Sequence, residues 1–96
     1  MFGTCEELLT RILAKHQVQG ILILERGGDN IIHTTFNYET STSYAKSIKS
    51  MLLSAETLTN STGSNNALHF IRIKTQTNEF MIVPGSDYFL VVIVSN

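Results

Sequence analysis

The chain has one cysteine, one proline and no tryptophan in 96 residues. With Cys5 alone, no disulfide can close within the chain, so stability has to come from packing. A lone thiol with no second thiol or base beside it fits a reducing compartment and argues for no redox work. Charge of one sign is lacking too: seven basic residues stand against eight acidic ones, a net charge of −1. Such a balance gives no electrostatic footprint for nucleic acid or for an anionic membrane surface. Long hydrophobic runs are missing. The longest, Phe89 to Val94, falls far short of the roughly 20 residues that span a bilayer as a helix. Met1-Phe2-Gly3-Thr4 has neither a basic start nor an apolar stretch, so no secretory leader is expected and the expected compartment is the cytosol. Asn60-Ser61-Thr62, a glycan acceptor by pattern, is then a chance match.

What is present is one domain's length of chain with an ordinary hydrophobic share of 43%. Thr4-Cys5-Glu6-Glu7 reads as a capping box, the Thr4 hydroxyl taking the Glu7 amide. Leu8, Leu9, Ile12 and Leu13 follow at helical spacing, giving a first helix that ends near His16. Gly20-Ile21-Leu22-Ile23-Leu24 is too short and too β-branched for another helix and reads as a strand. Arg26-Gly27-Gly28-Asp29 supplies a turn into a second, more polar strand from Asn30 to Phe36. Thr40, Ser41 or Thr42 can cap a longer helix. On it, Tyr44, Ala45, Ile48, Met51, Leu52, Ala55 and Leu58 form one stripe, with Leu53 outside it among Lys46, Lys49 and Glu56. After a polar loop over residues 60–66, three strands are expected at Leu68–Thr75, Asn78–Val83 and Phe89–Val94, joined by hairpin-length links.

The fold class is therefore α+β, a five-stranded antiparallel sheet between helical layers in the order α-β-β-α-β-β-β. Unbroken apolar runs place the first and last strands in the middle of the sheet, buried on both faces. Polar mixing suits the second and third strands to the edges. The short first helix cannot cover a whole sheet face, so part of that layer is expected from elsewhere.

No residue pattern argues for catalysis. His16, His33 and His69 lack ligand spacing and lie far from the only thiol, so no metal is expected. Gly27-Gly28 lacks the Lys-Ser/Thr of a phosphate loop and opens no helix. Glu6 and Glu7 belong to a cap, and Asp87 to a turn. No cofactor is expected. Arg72 and Lys74 alternate on one face of an edge strand, either as solvated guards against aggregation or in salt bridges across a dimer edge.

Three stretches carry a resemblance to a known family: Leu68-His69-Phe70-Ile71-Arg72-Ile73-Lys74, Glu79-Phe80-Met81-Ile82-Val83-Pro84 and Asp87-Tyr88-Phe89-Leu90-Val91-Val92-Ile93. With Thr40-Ser41-Thr42-Ser43-Tyr44-Ala45, Gly20 and Thr34-Thr35, they resemble the roadblock family of dynein light chains over nearly the whole chain. The first hairpin departs from the family pattern of Gly, Pro, Arg: Ile31 stands where Pro is usual and His33 where Arg is usual. The resemblance implies a roadblock/profilin-like domain over residues 1–96 and a two-fold dimer, with itself or a paralogous light chain. In that dimer third strands pair edge to edge and long helices lie side by side. On that implication the dimer interface is expected at Leu68, Phe70, Ile71, Arg72, Ile73 and Lys74, with Leu53, Met51 and Leu58 from the helix. It further implies an accessory role in the microtubule motor dynein, binding its intermediate chain. An intermediate-chain helix is expected to complete the layer begun by Leu8, Leu9, Ile12 and Leu13. A competing expectation is a roadblock-type scaffold or regulator of a small GTPase, which fold alone does not exclude.

Overall fold

The computed structural model describes residues 17–28, 30–63 and 66–95. Five strands and one helix follow in the order β1 (Val18–Glu25), β2 (Ile31–Thr34), α1 (Tyr38–Ser61), β3 (Ile71–Lys74), β4 (Asn78–Pro84) and β5 (Tyr88–Ser95). The strands form one antiparallel sheet in the order β2-β1-β5-β4-β3. The expected five-stranded antiparallel sheet is present, with the first and last strands side by side at its centre and the second and third at its edges. The first expected helix, with Leu8, Leu9, Ile12 and Leu13, lies outside the described residues.

Period-two alternation in the central strands builds two apolar faces. Leu22, Leu24, Ile82, Phe89, Val91 and Ile93 point to one side, where Ala45, Ile48 and Leu52 of α1 complete the core. Met81, Val83, Val92 and Val94 form a second buried cluster, with Phe70 and Leu90 packed against it. The mixed polarity of β2 and β3 is the mark of strands paired on one side only. Between Ile23 and Leu24 the β1–β2 register shifts, so Ile32 becomes the extra residue of a bulge and stays half exposed. Such a bulge twists an edge away from further pairing.

The second strand ends at Thr34, short of the expected Phe36, and two other shifts of boundary have identifiable reasons. The cap of α1 is Asn37, whose Oδ1 accepts the Thr40 amide at 2.8 Å, three residues ahead of the expected Thr40–Thr42 cap. Ser41 is buried instead, its hydroxyl 2.7 Å from that of Thr34, where it ties the helix to β2. The third strand starts at Ile71 and not at Leu68. Ile71 pairs with Ile82, so the next bonded position would set His69 against Pro84, which has no N–H to give.

Each end of α1 is fastened separately. At the start, Tyr44 meets Phe36 and Phe80 edge to face, with ring centroids 5.4 and 5.9 Å apart. Phe36 reaches this position because β1 offers Gly20 below it. A Cβ there would come within 2.1 Å of the Phe36 ring. At the far end, Arg26 donates through Nε to Gly85 O at 2.9 Å and through both terminal nitrogens to the Glu56 carboxylate at 3.1–3.2 Å. Its guanidinium also lies 4.8 Å from the Phe89 ring centre. Arg26→Ala removes the fork and leaves Glu56 half-buried without it, lowering unfolding stability by about 1–3 kcal/mol. Arg26→Lys recovers only part, because an ammonium cannot serve the carboxylate and the carbonyl as one planar fork. Urea unfolding at one fixed chain concentration measures both, and equal stability of the lysine variant and the parent would contradict this account.

Candidate interaction surface

The outer edge of β3 is where the chain leaves main-chain groups unmatched. Thr75 N donates to Asn78 O at 2.8 Å, and bonded partners recur at every second residue of an antiparallel ladder. Ile73 and Ile71 therefore aim their N–H and C=O groups at β4. Those of Arg72 and Lys74 point outward, where no further strand lies among the described residues. The side chains divide by face. Ile71 and Ile73 are half-buried under α1, while Arg72 and Lys74 are exposed on the opposite face. Of the other residues expected at this seam, Leu68 packs against the helix-side core and Phe70 against the second cluster. Both precede the strand.

Glu79 completes this edge, a residue to which the sequence pattern assigns no role of its own. It is 1% exposed, directly opposite Lys74 and one diagonal step from Arg72. Its carboxylate accepts from Arg72 Nε, with Arg72 Nη2 at 3.4 Å from the second oxygen. A carboxylate taken out of water needs such a partner. The available signal was an acid within Asn78–Val83 whose hairpin register sets it against the cations of the preceding strand.

On α1, residues about 100° apart sort into two flanks around the buried line of Ser41, Ala45, Ile48 and Leu52. Tyr44, Met51, Ala55 and Leu58 share one flank, and the Tyr44–Phe80 contact fixes it as the side toward β4 and β3. Leu58, a member of the expected apolar stripe, is 66% exposed on this flank. Leu53, 65% exposed, stands on the other flank with Lys49, beside Arg26, Gly27, Gly28 and Phe89. The structure thus brings Met51 and Leu58 to the same side as β3 and separates Leu53 from them. The reason is rotational: five residues from Leu53 to Leu58 turn the helix by about 500°, nearly opposite.

The other candidates stay dispersed. His33 is exposed on β2 and His69 lies before β3, at opposite edges of the sheet. Cys5 and His16 are outside the described residues. Among the described residues, no three His, Cys, Asp or Glu side chains converge as metal ligands. Gly27-Gly28 lies in the bend between β1 and β2, closed by Glu25 N donating to Asn30 O at 3.0 Å. Ile31, at the family's Pro position, packs against the helix-side core.

Among the described residues no helix is long and apolar enough to cross a membrane. Compared with known families, residues 4–95 match the model described as the Roadblock/LC7 domain. An antiparallel five-stranded sheet with α1 across one face accords with that match, and the chain belongs to the Roadblock/LC7 domain family.

Proposed function

We propose that this chain is a non-catalytic accessory light chain of the dynein motor, acting over its whole length as one dimerising domain. Membership of the roadblock family supports a light-chain or scaffold role. The observation that carries the finer reading is the open outer edge of β3, flanked by exposed Leu58 and half-buried Met51 on the adjoining side of α1. An edge of this kind is a template for another strand, and a symmetric pairing closes it in one step. Two β3 strands then extend one sheet across two subunits and bring the Met51–Leu58 flanks of their helices together. A paralogous light chain can take the second place. The dimer holds the dynein intermediate chain through an amphipathic helix laid on the layer to which Leu8, Leu9, Ile12 and Leu13 belong, supporting assembly and cargo attachment on microtubules in the cytoplasm.

Light scattering of the purified chain is expected to give twice the 10.7 kDa chain mass. Lys74→Pro removes an outward N–H, which β3 does not use toward β4, so a folded monomer is expected. Retention of the dimer by a folded Lys74→Pro chain would exclude pairing through β3. Affinity capture from cell extract tests the partner: the dynein intermediate chain is expected, and a small GTPase in its place would overturn the motor assignment.

The helix flanks offer a separate comparison. Leu58→Asp places a carboxylate where the two helices meet and is expected to weaken dimerisation by about 2 kcal/mol or more. Leu53→Asp lies on the far flank and is expected to change it by no more than about 0.5 kcal/mol. Sedimentation equilibrium measures both constants, and the reverse order would place the interface on the Leu53 side.

A further inference from the structure

Arg72 and Lys74 are at once the two β3 residues whose main-chain groups face outward and the two that carry positive charge. In an antiparallel ladder outward groups bond to outward groups, so two-fold pairing of β3 with itself must set these residues against each other. Two symmetric registers pair three of the four strand residues. One centres on Ile73 and places Arg72 opposite the second strand's Lys74, twice. The other centres on Arg72 and places guanidinium against guanidinium. In both, cation faces cation, an arrangement that destabilises paired strands.

β3 and β4 together carry a single acid, Glu79. It lies on the same sheet face as the two cations, opposite Lys74 and bonded to Arg72. Four cations and two carboxylates would therefore meet along the seam of a symmetric dimer, leaving it net positive. We propose that Glu79 is the counter-charge on which self-pairing of β3 depends. This rests on the β3 dimer proposed above. Glu79 acts twice: it draws the Arg72 guanidinium back over β4, away from the seam, and it offsets the field of the facing cations. Arg72 and Lys74 are exposed, so the repulsion that Glu79 offsets at the seam is open to screening by salt. The same charges make β3 selective, since a strand bringing a carboxylate opposite Arg72 or Lys74 meets attraction where a second copy meets repulsion.

Sedimentation equilibrium across a salt series tests this, comparing the parent chain with Glu79→Gln, which keeps the side chain's shape. Raising sodium chloride from about 0.1 M to about 1 M shortens the screening length from roughly 10 Å to about 3 Å. The parent dimer is expected to tighten with salt. Glu79→Gln is expected to dissociate more readily at low salt, by roughly two- to thirtyfold, the range two facing like-charge pairs carry. The gap should close at high salt, which a packing defect would not do. Lys74→Gln, at an exposed position, keeps the test open if Glu79→Gln does not fold: its dimer should depend less steeply on salt than the parent's. A dimer indifferent to salt, or a Glu79→Gln gap that persists at high salt, would overturn the role of Glu79 while leaving β3 pairing intact. Absence of a dimer at every salt concentration would overturn both.

Discussion

Arg26 joins three stretches of chain that are distant in sequence, and its commitments set how α1 sits on the sheet. One guanidinium lies over Phe89 at the start of β5, bonds the Gly85 carbonyl between β4 and β5, and forks onto Glu56 in the helix. Tyr44 does the matching work at the other end, wedged edge to face between Phe36 and Phe80. These contacts at its two ends set one rotation of the helix about its axis relative to the sheet. That fixed rotation decides which flank accompanies β3. Met51, Ala55 and Leu58 take that side, and Leu53 is turned toward the Arg26–Gly28 bend. A contact far from the β3 edge thus determines the composition of the surface beside it.

The two edges of the sheet are treated differently, and the difference is physical. β2 is short and bulged at Ile32, and its neighbour segment is bound up through Thr34, Ser41 and Phe36. β3 is equally short but regular, and it carries its charges on residues whose main-chain groups face outward. Pro84 ends its ladder on one side and the Thr75–Asn78 hairpin on the other. An edge so limited in length fits a partner of the same length better than indefinite strand addition, and its cations discourage indiscriminate pairing.

Glu79 shows how a buried charge is tolerated in a small sheet. Arg72 keeps 46% of its side chain exposed while Glu79 is 1% exposed, so the acid gains a cationic partner without that cation being buried. Here the carboxylate shares its sheet face with Met81 and stands opposite Val94 of β5. Its effect is on the cations at the edge.

Much of the fold was legible in the residues themselves. Unbroken apolarity in β1 and β5 marked the centre of the sheet and polar mixing in β2 and β3 its edges, because burial on one or both faces writes directly into local composition. Helix, hairpins and strand order followed from periods of 3.6 and 2 and from turn residues. The edge cations were visible too. Other features were not, because they depend on residues brought together from distant positions. Asn37 took the cap, and Ser41, a candidate for it, is buried against Thr34 of β2. Which flank lies beside β3, that of Leu58 or that of Leu53, depends on the roll of the helix, held by Arg26 and Tyr44. Glu79 gained its meaning only when the β3–β4 register set it between Arg72 and Lys74. Local pattern determined the elements and their order in the sheet; which side chains share a surface was decided by register and rotation, which only the assembled sheet and helix define.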